Sequence, residues 1–292
     1  TVTTRDLKKD SSDTDIYMAP IGGGAPLRLT TSDKPERMPR FSPDGKWLAF
    51  VSGREGTESQ VWLLSRAGGE AFKLTEYKAS VSSLAWSPDS TRLALVVSDV
   101  DPDAPAGDDE KAEKAEKKTD KPIVVSRLQF KRDGEGYLKD IRSHIHVFDV
   151  ASKKSAQATS GPFDDSDPAW SPDGRSLAFS SNRTLPDADT SQNTDIFIVP
   201  AGGGVPRAVV NSPRAETSPV FSPDGASIAF VASGDPKDMW YGASHIGVAR
   251  VDGSGAKPLT DALDRNVARP RFSPDGRSIY FLLEEGGNQP VA

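Results

Sequence analysis

Short apolar runs alternate with polar turns along the whole chain, and both recur in a fixed order. An aromatic residue followed by Ser-Pro-Asp and then Gly or Ser occurs five times, starting at Phe41, Trp86, Trp170, Phe221 and Phe272. Each copy precedes an apolar run such as Trp47-Leu-Ala-Phe50. Proline fixes φ at the second turn position, Asp tolerates the third, and Gly supplies the positive φ that leads into the next strand. The pattern therefore predicts five β-hairpins.

A second apolar run lies between successive hairpins. Its copies are Asp15–Met18, Gln60–Leu64, His144–Phe148, Asp195–Val199 and His245–Val248. A glycine-rich or polar turn follows each run, and then a further strand that often ends in Leu-Thr. Four short strands in roughly 45 to 50 residues are typical of one β-propeller blade. The sequence predicts an all-β protein, a β-propeller of four-stranded blades.

The repeats account for about five and a half blades, and both ends are expected to lie inside a blade. A strand and a turn of an earlier blade precede Phe41. One strand follows Phe272, and we expect the strand that would pair with it to be missing from this sequence. A propeller closes by pairing its first and last blades, because an open ring leaves strand edges exposed. We therefore expect residues 1–292 to form an incomplete propeller domain belonging to a longer polypeptide.

Spacing between the repeats locates one insertion. Successive copies begin 45, 84, 51 and 51 residues apart, so the second interval holds one blade and an extra segment. That segment, at about 100–122, is rich in Asp, Glu and Lys. We expect a solvated surface excursion, with a flap over an opening or an oligomer contact as the alternative.

Composition excludes several classes of function. The 292 residues include no cysteine, which excludes disulfides, thiolate metal sites and cysteine nucleophiles. A net charge of −6 argues against a general nucleic-acid binder. No run approaches the ~20 apolar residues that cross a bilayer. The triple-glycine turns lack the Lys-Ser/Thr of a phosphate-binding loop, and no cofactor is expected.

The three histidines are the remaining candidates for metal ligands, since the chain has no cysteine. His144 and His146 are two residues apart, so on a strand they face the same side. No third ligand is marked, and His245 stands at the equivalent strand start of a later blade. We expect a structural or surface pair, and no metal site.

One stretch departs from the repeats and carries a family resemblance. It runs from Arg127 to Tyr137 and includes Phe130, Lys131, Asp133, Gly134 and Gly136. With the Ser-Pro-Asp-Gly repeats, it resembles the acylaminoacyl-peptidase-like branch of the prolyl oligopeptidase family of serine peptidases. The resemblance implies a seven-bladed propeller that caps a C-terminal α/β-hydrolase domain with a Ser, Asp and His triad. Because no Gly-x-Ser-x-Gly occurs here, we expect the hydrolase domain and all catalytic residues to lie outside this chain.

The resemblance implies a propeller that gates and selects short peptides. The absence of cysteine fits a reducing compartment, so we expect a cytoplasmic protein, and we expect homo-oligomer contacts at the exposed hairpins and the insertion. Arg127, Lys131, Arg132 and Asp133 are the candidate substrate-binding residues, because a basic cluster can hold a peptide carboxylate. The alternative is that they form a salt-bridged loop. A rival interpretation is a TolB-like propeller that serves as a non-enzymatic interaction platform, since its blades share the same repeat.

Overall fold

The structure is a computed structural model that describes residues 1–8, 10–56, 58–102, 123–133, 136–235 and 241–292. Within those ranges the chain forms β-strands and one 3₁₀ turn, Ala188–Thr190, with no α-helix. The described part also has no helix long and apolar enough to span a membrane. Most of the predicted insertion at 100–122 lies outside the described residues.

The strands group into blades that we number I to VI. Blade I contains β1 (Val2–Asp6), β2 (Ser11–Asp15), β3 (Tyr17–Met18) and β4 (Leu27–Arg28). Blade II contains β5 (Glu36–Phe41), β6 (Trp47–Ser52), β7 (Gln60–Ser65) and β8 (Phe72–Lys73). Blade III contains β9 (Val81–Trp86), β10 (Arg92–Ser98), β13 (Ser143–Asp149) and β14 (Ser155–Gln157). A separate hairpin, β11 (Lys131–Arg132) and β12 (Gly136–Tyr137), lies between β10 and β13 in the sequence.

The C-terminal half continues the series. Blade IV contains β15 (Asp165–Trp170), β16 (Ser176–Ser181), β17 (Asp195–Pro200) and β18 (Arg207–Val210). Blade V contains β19 (Glu216–Phe221), β20 (Ser227–Ala232), β21 (His245–Arg250) and β22 (Lys257–Pro258). Blade VI contains β23 (Val267–Phe272) and β24 (Ile279–Leu283). Blades II to V are four-stranded antiparallel sheets, which confirms the predicted all-β propeller architecture.

Two features near the ends of the chain differ from the prediction. Strand β1 pairs with β2 and was not expected, because its sequence is polar apart from Val2. The expectation that the chain ends before a partner for β24 is wrong. The Leu283 amide donates to the Pro290 carbonyl at 2.9 Å, so residues near Pro290 pair with β24 as the start of a third strand of blade VI. Glycines 286 and 287, both at positive φ, make the turn between them.

The hydrophobic core lies between neighbouring blades. Leu48 and Phe50 of β6 pack toward blade I, whereas Ala49 and Val51 of the same strand pack toward blade III. Successive side chains on a strand point to opposite faces, so a strand buried on both faces must be apolar at every position. The continuous apolar runs in the sequence are therefore explained by blade stacking.

The five Ser-Pro-Asp turns, which lie in blades II to VI, have the same hydrogen bonds. In blade II, Ser42 Oγ donates to Asp44 Oδ1 at 2.6 Å, and the Gly45 amide donates to the Ser42 carbonyl at 2.8 Å. Gly45 has φ 71°, and Ser90 takes φ 62° at the same turn position of blade III. The predicted turn is confirmed, and the serine hydroxyl holds the pKa of Asp44 below its usual value.

The threonine that follows the outer strand in four blades has a structural role that the sequence alone did not reveal. It comes after Leu in blades I, II and V and after Ala158 in blade III. The threonine hydroxyl accepts the backbone N–H at the start of the third strand of its own blade, at 2.8 to 2.9 Å. The pairs are Thr30 with Ile16, Thr75 with Val61, Thr159 with Ile145, and Thr260 with Ile246. This bond satisfies a buried donor where β-pairing stops.

The first strands of the blades form the inner wall of the propeller. Strands β5, β9, β15, β19 and β23 contact one another in that order. Trp86 Nε1 donates to the Arg40 carbonyl at 3.1 Å, and Trp170 Nε1 donates to the Ala85 carbonyl at 3.0 Å. The repeated aromatic residue can thus join one inner strand to the preceding one.

Candidate functional site

A cavity of about 520 Å³ lies between the β11–β12 hairpin and one end of blade III. Its lining residues include Ser82, Val96, Arg127, Arg132, Tyr137 and Asp164. The cavity is therefore the place where the β11–β12 hairpin, the first strand of blade III and the first strand of blade IV meet. This cavity is the candidate functional site.

The hairpin itself is short and carries aromatic side chains. Lys131 pairs with Tyr137 and Arg132 with Gly136, and the Leu138 amide donates to the Phe130 carbonyl at 2.8 Å. The Phe130 and Tyr137 rings stack with centroids 6.5 Å apart. Lys131 Nζ lies 5.9 Å from the Tyr137 ring centroid, within the range of a cation–π contact. Gly134, part of the sequence resemblance, lies outside the described residues.

Arg127 anchors the hairpin to blade IV. Its Nε donates to Asp189 Oδ2 at 2.8 Å and its Nη2 donates to Asp189 Oδ1 at 2.5 Å, a two-pronged ion pair with both side chains buried. The Gln129 amide also donates to Asp189 Oδ2, at 3.1 Å. The Arg127 hydrogen bonds lower the pKa of Asp189 to about 2, so this carboxylate is ionised at neutral pH.

Arg142 extends the same network. Its Nη1 lies 3.2 Å from Asp164 Oδ2 and 3.9 Å from Asp189 Oδ1, and its Nη2 lies 3.4 Å from Asp140 Oδ1. Asp189 therefore faces two guanidinium groups, and three acids surround Arg142. The network connects the segment after the insertion to blades III and IV.

The four predicted binding residues have different surroundings. Arg127 and Arg132 line the cavity, whereas Lys131 and Asp133 are exposed on the hairpin and are not among the residues that line it. The contacts of Arg127 agree with the alternative of a salt-bridged loop. Binding of a peptide carboxylate by any of the four stays a prediction.

Sequence analysis missed the acidic partners of this site. Asp165 is buried at the start of β15, where Arg183 Nη2 donates to it at 2.8 Å and His144 Nδ1 lies 3.4 Å away. Burial opposes ionisation, but the His144 and Arg183 contacts outweigh it, and the pKa of Asp165 is lowered. An acid recurs at this strand start in Glu36, Asp165 and Glu216, which is the signal that could have found it.

The paired histidines serve separate contacts. The His144 ring is buried against Asp165, while the His146 ring packs edge-on against Tyr77 with centroids 5.6 Å apart. Burial, together with the charge of His144, lowers the pKa of His146. The contacts of both rings are therefore structural ones.

An exposed apolar surface adjoins the cavity. It consists of the segment 123–130 with Tyr137, and includes Val124, which is 82% exposed, and Leu128, which is 63% exposed. Ile123, Val125 and Phe130 are also exposed. Six exposed apolar side chains thus lie within one short segment and its hairpin partner, and exposed apolar surface often marks an interaction site. We call this segment the apolar face.

Comparison with known proteins identifies the family to which the propeller belongs. The TolB beta propeller domain family (PD40) matches residues 137–292, more than half of the chain. The uncharacterized peptidase YuxL of Bacillus subtilis (strain 168) is 37% identical over 195 residues, which are 66% of this chain and 28% of that protein.

Two solved structures have the same architecture. The acylaminoacyl peptidase of Pyrococcus horikoshii superposes with a TM-score of 0.67 at 21% identity, over 99% of this chain and 41% of that one. The putative TolB from Agrobacterium tumefaciens gives a TM-score of 0.60 at 22% identity, over 89% of this chain and 74% of that one. The chain thus spans between a quarter and a half of the length of the two peptidases. The chain belongs to the TolB β-propeller domain family, as a propeller of the kind found in peptidases of the prolyl oligopeptidase family.

Proposed function

We propose that this chain is the non-catalytic propeller portion of a serine peptidase, and that it gates and selects short peptides for an α/β-hydrolase domain outside the chain. The observation that carries the proposal is the blade III cavity, bordered by a basic, aromatic hairpin and the apolar face. Kinship to the peptidase YuxL supports the assignment to a peptidase.

The site suits the end of a peptide better than a folded protein. A cavity of about 520 Å³ holds a few residues of an extended chain. Arginine at its wall supplies donors for a carboxylate, and Tyr137 supplies an aromatic surface for a side chain. The buried Arg127–Asp189 pair keeps the hairpin in position while substrates exchange.

The apolar face is the proposed docking surface for the hydrolase domain. It lies beside the cavity, so a domain seated there would place its own catalytic groups at the mouth of the cavity. Covering Val124 and Leu128 would also remove two strongly exposed apolar side chains from water. A contact between two copies of the chain is the alternative use of this face.

A test uses the full-length gene product. We expect it to hydrolyse short fluorogenic peptides and to react with a serine-directed fluorophosphonate probe. Phe130→Ser should impair peptide hydrolysis, whereas Phe72→Ser, at an exposed aromatic residue on β8 of blade II that does not line the cavity, should not. A full-length protein with neither hydrolysis nor probe labelling would overturn the proposal.

The second candidate function is an interaction platform. It is favoured by the TolB family match and by the A. tumefaciens TolB structure, of which this chain covers 74%. Under this interpretation the apolar face would bind another protein, and the full-length product would show no peptidase activity.

A further inference from the structure

Two acidic residues from neighbouring blades lie together at the boundary between blades IV and V. Asp195 begins β17, and Glu216 begins β19 and is only 1% exposed. The Glu216 amide donates to the Thr194 carbonyl at 2.6 Å, and Thr194 Oγ1 donates to the Glu216 carbonyl at 3.0 Å. These two hydrogen bonds join the start of β17 to the start of β19.

Asn193 and Ser212 connect the two acidic side chains. Asn193 Nδ2 donates to the Ser212 carbonyl at 2.8 Å and lies 3.4 Å from Asp195 Oδ1. Ser212 Oγ donates in turn to Glu216 Oε1. The contacts therefore run without a break from Asp195 to Glu216. We call Asn193, Asp195, Ser212 and Glu216 the acid cluster.

Two oxygen atoms of the acid cluster are buried without a hydrogen-bond donor. They are Glu216 Oε2 and Asn193 Oδ1, and neither accepts a hydrogen bond within the described part of the chain. Turning the Asn193 amide over would place its oxygen against the Ser212 carbonyl oxygen, so the amide orientation is fixed. Buried acceptors nearly always have a partner, so a donor or a cation belongs beside these two oxygens.

No basic residue of the described ranges forms an ion pair with either carboxylate of the acid cluster. In blade IV, the strand-start carboxylate Asp165 is paired with Arg183 at 2.8 Å. Arg214 is the basic residue nearest to the acid cluster in the sequence, but its Nη1 pairs with Asp261 at 3.2 Å. Two carboxylates held together and partly out of water repel each other unless a cation lies between them.

We propose that the acid cluster binds one Ca²⁺ ion through Glu216 Oε2, Asn193 Oδ1 and the Asp195 carboxylate. Calcium takes carboxylate and amide oxygens in flexible arrangements and completes its coordination shell with water. The described residues include no group of three His, Cys, Asp or Glu that could hold a metal, and an oxygen-only ligand set favours calcium over zinc. Asn193 and Asp195 are half-buried, so the ion can enter from solvent.

The bound ion would have a structural effect at the blade boundary. It would supply to the Glu216 carboxylate the positive charge that Arg183 supplies to Asp165. Because its ligands come from the start of β17 and the start of β19, it would also join blade IV to blade V. This site does not depend on the proposed peptidase function.

The test is thermal unfolding of the 292-residue chain, freed of metal with a chelator, at pH 8 and constant ionic strength. That pH lies above the raised pKa of Glu216, about 7, so protons compete little with the ion. Weak calcium sites have dissociation constants of ~0.1–1 mM, so about 5 mM CaCl₂ fills most of such a site. We expect the melting temperature to rise by about 2–4 °C, and calorimetric titration to give one ion per chain.

Three variants locate the ion. Glu216→Gln and Asp195→Asn should abolish the rise with calcium. Glu216→Gln removes a buried charge that has no counter-ion, so this variant should stay folded and its loss of response cannot be attributed to unfolding. Asp165→Asn is the matched control, because it removes a buried strand-start carboxylate that already has Arg183 as its partner. It should melt at a lower temperature but keep the rise with calcium.

The outcomes separate the site from the choice of ion. No rise with calcium in the parent would overturn the site. A rise that persists in both Glu216→Gln and Asp195→Asn, or that is lost in folded Asp165→Asn, would also overturn it, because the ion would then bind elsewhere. An equal rise with MgCl₂, lost in the same two variants, would overturn the assignment to calcium, since magnesium demands a stricter geometry.

Discussion

Replacing Glu216 with Gln should make the protein progressively more stable than its parent as the pH rises from 5 to 8. Glu216 begins β19, is only 1% exposed, and lies beside Asp195 of β17. Ser212 Oγ donates to Glu216 Oε1, but Glu216 Oε2 has no hydrogen-bond partner. Burial, with the Asp195 charge as a smaller cause, raises the pKa of Glu216 to about 7; burial raises that of Asp195 to about 6.

Comparison with the other blades explains why this pair has no cation. Glu36 and Asp165 hold the same strand-start position and are neutralised by Arg54 and Arg183, each two residues after the second strand of its blade. Gly234 stands at that place in blade V. A Cβ on Gly234 would lie 2.4 Å from the Gly242 Cα, so the backbone leaves no room for an arginine. In the described part of the chain, Asp195 is the charged group that acts on Glu216.

The sign and size follow from the raised pKa. A carboxyl whose pKa rises on folding stabilises the fold below its unfolded pKa, and that stabilisation is lost as the pH passes the folded value. A rise from 4.5 to about 7 corresponds to about 3 kcal/mol, at ~1.4 kcal/mol per pH unit. Glutamine resembles the protonated carboxyl and cannot ionise. The advantage of Glu216→Gln should therefore grow through pH 5 to 7 and level off at about 3 kcal/mol.

The assay is urea unfolding of parent and variant at pH 5, 6, 7 and 8 in a constant-ionic-strength buffer. The matched control is Asp165→Asn, which leaves the largely buried Arg183 without its 2.8 Å partner. Because the pKa of Asp165 is lowered in the folded protein, this variant should be less stable than the parent by the same amount from pH 5 to pH 8. If Glu216→Gln shows the same difference from the parent at pH 5 and pH 8, or is less stable at pH 8, the explanation by a raised pKa of Glu216 is refuted.

Three further predictions concern single contacts. Asp189→Asn should lower the free energy of unfolding at pH 7 by about 3 kcal/mol, because it leaves Arg127 buried without a counter-ion. In the parent, that stabilisation should disappear as the pH falls from 3.8 through about 2, which acid titration by circular dichroism would show. Gly247→Ala should lower the free energy of unfolding by about 1–3 kcal/mol, because the added Cβ would lie 2.5 Å from the Phe230 ring. Gly22→Ala is the control, since Gly22 has open space around it, and it should lower that free energy far less in the same urea assay. Thr260→Val removes the hydroxyl that accepts the Ile246 amide hydrogen bond. It should lower the free energy of unfolding by about 1–3 kcal/mol and speed hydrogen exchange of the Ile246 amide.

Local chemistry explains why much of the fold could be predicted from the sequence. The Ser-Pro-Asp-Gly turn is held by hydrogen bonds between residues two to five positions apart, such as Ser42 with Asp44 and Ser42 with Trp47, so six consecutive residues contain these bonds. The apolar runs on either side encode strands that are buried on both faces. Repetition of the unit then predicts a propeller, because stacking like blades is how such strands bury both faces.

The candidate site was predicted only in part. The hairpin was found because its sequence departs from the repeat, and Arg127 and Arg132 do line the cavity. Asp189, the partner of Arg127, comes 62 residues later in a loop of another blade, and no local pattern marks it.

The sequence by itself thus determined the repeating unit, the turn chemistry and the class of fold, because each depends on residues a few positions apart. Only the tertiary structure decided which charges meet. Arg127 is neutralised by Asp189, whereas Asp195 and Glu216 lie together without a cation in the described part of the chain. Electrostatic energy depends on distance in space and on exclusion of water, and blade stacking sets both independently of separation along the chain.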